Sequence, residues 1–584
     1  MPLPPAAEQA RSALARGDAA TALRLLKPLL ARYPKDSEIA HLNGAILLEL
    51  GQNDQARYFA ERAIALADAG RHHSLLGDVH MRAGRDDLAR ASFEKALAKD
   101  PDLGLPRLRL ALLAQFAGRF AEAEAHFREG IRRRPEVAEL VASFAQLLVD
   151  TGRGTEAMEL LETSLAKRGT DPDLIQAAAS LSNYLPGVSA ERSSELHFQL
   201  GISMSRGSPP PVARGPWPND RPVRVAFVSP DLRDHSVARF VEPILRAYSR
   251  AKFAYLCYSS GSSDAVSLKL KSMCAVWRDV RAVPADQLVA QARADKVDIA
   301  IDLAGNTVGN RLDAFARRLA PLQATYLGYP HSTGLSAMDA RLVDVLTDPP
   351  GCEEVERIRE RRVRIEGCFL CYQPAEAALA IPVSGGPSPV SFGSFNVLSK
   401  VQPEVIRVWA RILRAVPEAP LVLKARSLSD ASVAERYRGL LAAEGVDPAR
   451  LHALGPIGDP AGHFAAYSHV GIALDPFPYN GTTTTCEALL MGVPVVALSG
   501  GVGSGHASRV GASLLTAVGA EGLIAGSPEE YVDLAVSLAH DRPRLAGLRA
   551  GLRDSLLSSP LCDASGFATR FAAALKAAWE LPTN

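Results

Sequence analysis

Cysteine is scarce in this sequence, at seven among 584 residues. So few in so long a chain build no disulfide framework, and the chain reads as cytoplasmic. Long apolar runs are absent as well. None reaches the roughly 18 residues a membrane-spanning helix needs, so no membrane role is expected. The opening MPLPPAAEQARSALARGDAA has neither the basic start nor the apolar centre of a signal peptide. Charge of one sign is lacking: 65 Lys and Arg stand against 64 Asp and Glu, a formal net charge of +1. That balance argues against a polyanion such as nucleic acid as the main partner. No Walker phosphate loop, HExxH or GxSxG occurs. One CxxC, Cys368 to Cys371, has no matching second pair, so neither zinc nor redox chemistry is expected there. What remains is a chain long enough for three or four domains and 47% hydrophobic, with material for several packed cores.

Its first third repeats itself. Gly17, Gly51, Gly84, Gly118 and Gly152 are spaced 34, 33, 34 and 34 residues apart. Five residues after each comes an Ala: Ala22, Ala56, Ala89, Ala123 and Ala157. Pro34, Pro101 and Pro135 follow three of the glycines by seventeen, and Phe93 and Phe127 stand nine after theirs. This is the tetratricopeptide pattern of stacked helix pairs. Gly turns the chain between the two helices, the small Ala lets them approach, and Pro stops the second. Such pairs bury their apolar faces only by stacking. Residues 1–172 are therefore expected to form an α-solenoid of about five repeats whose concave face holds a protein partner. A spacer or an arm for self-association is the plainer alternative. Residues 173–204 read as helices that cap the array. DPD triplets at 100–102 and 171–173 fall between repeats and are discounted as metal ligands, so no metal site is expected.

A sharp boundary comes next. SRGSPPPVARGPWPNDRP, residues 205–222, reads as an extended linker. Then short β-type runs alternate with helical stretches: 223–229, 253–259, 297–303 and 324–329. VSGGPSP at 383–389 marks a second boundary, followed by runs at 390–396, 419–425, 470–475 and 493–498. Buried strands separated by helices imply two parallel α/β sheets, over residues 222–385 and 386–584. The stretch 568–580 reads as a terminal helix. Two such domains bind ligands in the cleft facing their strands' C-terminal ends.

Candidate chemistry sits where strands end. In LDPFPYNGTTTTCEALLMGVPVVAL (474–498) a strand ends at Asp475, Asn480-Gly481 turn the chain, and Thr482 to Thr485 open a helix carrying Glu487. Threonines there cap a helix whose free N–H groups make an anion site. Lys400, in SFNVLSK, lies between a strand and a helix and suits a diphosphate as a point charge. His235, in SPDLRDHS, lies at the corresponding place in the first α/β domain, where an imidazole can take up a proton near neutral pH. A plain capping or packing histidine is the bland reading.

Taken together, these segments resemble the O-linked N-acetylglucosamine transferases and the plant Spindly proteins. The resemblance rests on SPDLRDHS, LAPLQATYLGYPHSTG (319–334), ARLVDVLTDPPG (340–351), SFNVLSK, DPFPYNGTTTTCEAL and GHASRVGASLL (505–515). It implies two Rossmann-like domains in the glycosyltransferase-B arrangement, the first on the acceptor side and the second on the nucleotide-sugar side. It further implies an inverting, metal-independent transfer of a sugar to a Ser or Thr hydroxyl, with no cofactor beyond the donor. By the resemblance His235 is the proposed base, or positions the acceptor or the sugar, and Lys400 is the diphosphate lysine. Leu327, Gly328 and Tyr329 line the sugar side, and Asn480, Gly481, Thr482, Thr483 and Thr484 form the phosphate-binding helix start. His463 stands at the nucleotide base and Glu487 at the ribose. Val397, Pro460, Thr482 and His331 depart from the animal enzymes, and all four are expected on the donor side. UDP-N-acetylglucosamine is the expected donor. GDP-fucose, or a CMP-nonulosonic acid with bacterial flagellin as acceptor, are the alternatives. A non-catalytic repeat scaffold is the competing reading.

Overall fold

The computed structural model describes residues 3–205, 207–210, 212–501 and 504–582. Linker residues Arg206 and Pro211 lie outside them. The chain forms two compact units, Met1–Leu147 and Leu148–Asn584.

The first unit is built of helix pairs: Pro5–Ala15 with Ala19–Arg32, Ser37–Glu49 with Asn53–Leu66, Gly70–Arg82 with Asp86–Lys99, and Gly104–Phe116 with Phe120–Arg133. The turn glycines Gly17, Gly51, Gly84 and Gly118 have φ between 68° and 79°, the left-handed region that a Cβ disfavours. Ala22, Ala56, Ala89 and Ala123 are fully buried, at 0% exposure. Pro34, Pro101 and Pro135 each lie two residues beyond the last residue of a helix. Ion pairs then join an acid of one repeat to a base of the next. Asp78 meets Arg109 at 3.0 Å, Glu49 meets Arg82 at 2.9 Å and Asp102 meets Arg133 at 2.7 Å.

The second unit opens with helices Gly154–Arg168, Pro172–Ser182 and Ala190–Met204. The last of these presses on the first sheet lobe: a Cβ at Gly201 would stand 2.0 Å from the Gly334 backbone. After the linker comes a parallel sheet of β1 (Val223–Ser229), β2 (Phe253–Ser259), β3 (Val276–Asp279), β4 (Ile299–Asp302), β5 (Leu322–Tyr326), β6 (Ala340–Val343) and β7 (Arg361–Arg364). Its order is β3-β2-β1-β4-β5-β6-β7. A second parallel sheet holds β8 (Phe392–Ser394), β9 (Leu421–Lys424), β10 (Leu451–Leu454), β11 (Ile472–Leu474), β12 (Val495–Leu498) and β13 (Ile524–Ala525), in the order β10-β9-β8-β11-β12-β13. Each order reverses beside its first strand, β1 or β8, and a ligand crevice forms at such a switch point. The terminal helix Ala564–Glu580 comes after the second sheet in sequence but packs on the first lobe, with Phe571 against Phe227 and Tyr326.

A buried ionic lattice joins the two sheet lobes. Asp348 of the first binds His506 of the second at 2.5 Å and Arg362 of its own lobe at 2.8 Å. Arg509 of the second donates to the Thr347 carbonyl at 2.6 Å. No helix among the described residues is long and apolar enough to cross a membrane.

Candidate functional site

The two lobes enclose a cavity of about 270 Å³ between their strand ends, lined by His235, Leu327, Gly328, Asn396, Val397, Lys400, Tyr479 and Thr482 to Thr484. Three strand-to-helix loops feed it, and the Leu327-Gly328 turn between β5 and β6 is a fourth contributor.

His235 is the N-cap of helix Ser236–Ala247, and its Nδ1 accepts the Val237 N–H at 3.3 Å. With Nδ1 occupied as an acceptor, the neutral ring carries its proton on Nε2. The histidine therefore offers a donor. Asp231 lies 3.8 Å from Nδ1. Burial raises the Asp231 carboxyl, against the pull of His235 and Arg233.

The Leu327-Gly328 turn ends β5. Leu327 takes φ 49°, rare for a side chain. A Cβ at Gly328 would fall 1.7 Å from the Leu303 carbonyl oxygen, so only glycine fits. Tyr329, expected beside them, is turned away from the cavity. Its hydroxyl meets His197 Nε2 at 2.8 Å and accepts from Asn183 at 3.1 Å, on the two helices before the linker. His331, expected on the donor side, is not in the lining of this cavity: it is buried and stacks on His197 with centroids 4.0 Å apart. The reversal at Leu327 carries both rings to the helical side.

Lys400 ends a short 3-10 turn, Leu398–Lys400, after β8. Its Nζ donates to the Asn480 carbonyl at 2.7 Å and lies 3.9 Å from the centre of the Tyr479 ring. Tyr479 in turn stacks on Tyr184, with centroids 4.9 Å apart. Burial lowers the Lys400 ammonium to about 8, with Asp475 opposing the shift. Asp475 is itself pushed up by burial. Its Oδ1 accepts the Gly481 N–H at 2.7 Å, and its Oδ2 is buried without a partner.

Helix Thr483–Leu490 starts without a side-chain cap, because Thr482 at its N-cap makes no such bond. The threonines thus differ from their expected capping role and leave the first N–H groups of the helix to a ligand. Thr484 donates to Asn396 at 2.9 Å. Asn480 and Gly481, expected as ligand contacts, are not among the cavity's lining. The Asn480 amide faces inward, donating to the Pro476 carbonyl at 3.0 Å and accepting the Gly511 N–H at 3.1 Å. The two residues fix the turn that presents Tyr479 and the threonines.

His463 and Glu487 come together beyond Phe395. His463 Nε2 is 3.1 Å from Glu487 Oε2, and its Nδ1 is 2.7 Å from Lys424 Nζ. Lys424 escapes sequence reasoning. Its one signal is its place at the end of β9, the edge where ligands bind. Asp475 and Tyr479 join the site only in three dimensions. The cysteines are all unpaired, and no group of three or more His, Cys, Asp or Glu among the described residues could hold a metal ion.

Two facing parallel sheets, a cleft at their strand ends, and a lysine beside an uncapped helix start define a two-lobed α/β protein with a candidate anion site in that cleft. The model of glycosyl transferase family 41 matches residues 211–369 and 386–571, and this chain belongs to that family. Tetratricopeptide repeats match residues 13–79 and 116–181. The chain is 38% identical over 424 residues to a protein of Arabidopsis thaliana named probable UDP-N-acetylglucosamine--peptide N-acetylglucosaminyltransferase SPINDLY, covering 70% of this chain and 46% of that one. It is 30% identical over 355 residues to the Arabidopsis protein SEC, which carries the same enzyme name, covering 58% of this chain and 35% of that one. The chain thus spans less than half the length of these curated relatives. Among solved structures, a point mutant of the Thermobaculum terrenum O-GlcNAc transferase superposes with a TM-score of 0.81 at 32% identity, covering 88% of this chain and 98% of that one.

Proposed function

We propose that this chain is a protein O-glycosyltransferase that moves a sugar from a nucleotide-sugar donor to a Ser or Thr hydroxyl, with inversion and without a metal. The observation that carries this reading is Lys400 beside the uncapped start of helix Thr483–Leu490, with His235 across the same cavity. The acceptor hydroxyl oxygen attacks the anomeric carbon as the bond to the diphosphate oxygen breaks, and the hydroxyl proton passes to the departing diphosphate. The departing diphosphate takes the electron pair. Lys400 and the helix N–H groups stabilise that growing charge, so no cation is required. His235, with Nε2–H as its free edge, orients the sugar or acceptor oxygen. The repeats recruit the protein acceptor. UDP-N-acetylglucosamine is the donor of first choice, in line with the names of the relatives.

A GDP-sugar is a second reading. Val397, which at 56% exposure lines the cavity, offers no side-chain hydrogen bond and so does not tie the site to uridine. The test is a thermal-shift panel with UDP, GDP, CMP and their sugar conjugates, followed by mass spectrometry of a protein acceptor. A ligand that binds only the folded state raises Tm. A shift with UDP together with transfer from UDP-N-acetylglucosamine supports the first choice, and a shift confined to GDP supports the second. No shift with any of them returns the weight to a repeat scaffold.

A further inference from the structure

We infer that Lys424 reads the donor's base, selecting nucleotides whose base presents a ring carbonyl where cytosine and adenine present an amino group. The inference rests on the transferase reading above and adds the class of base. With the sugar on the His235 and Leu327 side, as the transferase reading has it, the nucleoside extends from the other side of the diphosphate site, along the edge of the second sheet. Two features mark that direction. Thr484 and Glu487 stand three apart on one helix face, so the surface runs from the phosphate site to Glu487. The cavity wall continues through Phe395, and the Lys424 ammonium lies 5.1 Å from the centre of that ring.

At that end both nitrogens of His463 are committed. An ammonium only donates, so Nδ1, 2.7 Å from Lys424 Nζ, must accept. The ring proton is then on Nε2, directed to Glu487 Oε2 at 3.1 Å. His463 therefore keeps no nitrogen free to read a base edge. Its part is to hold Lys424. The half-buried Lys424 retains further N–H donors, and donors complement a carbonyl oxygen such as uracil O4 or guanine O6. An exocyclic amino group in the same place would meet the ammonium donor to donor. The inference therefore sets aside a cytidine-linked donor.

Titration calorimetry on the full chain with UDP, GDP, CDP and ADP tests this, with inorganic pyrophosphate as the base-free control. UDP or GDP is expected to bind about tenfold or more tightly than CDP and ADP, the worth of one charge-assisted hydrogen bond. Lys424→Met should bring the preferred nucleotide down to the level of CDP while pyrophosphate binding stays unchanged. Lys424→Arg should keep the preference. Equal binding of all four nucleotides by the wild type overturns the inference, whatever the variants do. So does a preference that survives Lys424→Met. A wild type that binds neither nucleotides nor pyrophosphate defeats the transferase reading, and this inference with it.

Discussion

At the residue scale, Lys400 and His235 make different demands on an experiment. Lys400→Ala removes the only side-chain cation lining the cavity among the described residues. It should lower transfer by about a hundredfold or more and weaken nucleotide binding, with little change in the far-UV circular dichroism. His235→Gln keeps an N–H donor and cannot act as a base. If His235 orients through Nε2–H, Gln should retain activity within about tenfold. A loss of about 10² to 10⁴ would instead mark general-base catalysis. Lys400 also sets a pH limit. Burial lowers its ammonium to about 8, and only the ammonium attracts a diphosphate. A group with a lowered pKa loses its charge as pH rises through that value. Diphosphate affinity should therefore hold from pH 6 to 7 and decline above about pH 8. Calorimetry across that range checks it, and Lys400→Arg should flatten the alkaline fall because a guanidinium stays charged.

At the element scale, two glycines of the repeat array fail for different reasons. Gly51 sits at φ +73° with nothing near its missing Cβ. Gly51→Ala should cost about 1–2 kcal/mol from backbone conformation alone. A Cβ at Gly77 would instead lie 2.5 Å from the Phe93 ring, with no unusual φ. Gly77→Ala should destabilise through overpacking, by about 1–3 kcal/mol, and Phe93→Leu should recover part of that loss. Urea denaturation of the three single variants and of Gly77→Ala with Phe93→Leu separates the cases, since no second-site change should rescue Gly51→Ala.

The same elements show what sequence carries. Turn glycines, small alanines and stopping prolines each answer to one local constraint, so the helix pairs were legible from spacing. Strands β1, β2 and β4, all apolar runs, were legible too. VWRD, ARLV and RRVR were not legible as strands, because their arginines leave too short an apolar run. Those arginines are placed by tertiary partners, as when Arg362 meets Asp348 and Glu356 in the loop before it. At the site, residue type and strand-end position were readable, and His235, Leu327, Gly328, Lys400 and the threonines do share one cavity. Side-chain direction was not readable. The left-handed Leu327 turns the next side chains away, and the partner of Lys424 lies 39 residues along the chain.

At the scale of the two-lobed unit, the lobes face each other across a cleft while a buried lattice fixes them elsewhere. Asp348 is 1% exposed and supports both His506 and Arg362. A buried ion pair is weak evidence of net stability, but removing one partner strands the others. Asp348→Ala should therefore cost about 3–5 kcal/mol, more than a surface pair, and should loosen one lobe against the other. Burial raises the Asp348 carboxyl, and His506, Arg341 and Arg362 outweigh it, so the group stays below the usual carboxylate range. A depressed carboxylate contributes stability that is fully present above its unfolded pKa, about 4, and is lost as pH falls towards its folded one. Wild-type Tm should fall steeply on acidification below about pH 4. Asp348→Ala starts lower and has already lost this contribution, so its Tm should change less with pH there. Parallel acid limbs in the two proteins would show that Asp348 does not hold the lobes by its charge. If the limbs differ, nucleotide affinity at neutral pH should also fall in the variant, because Lys400 and His235 line their cavity from opposite lobes.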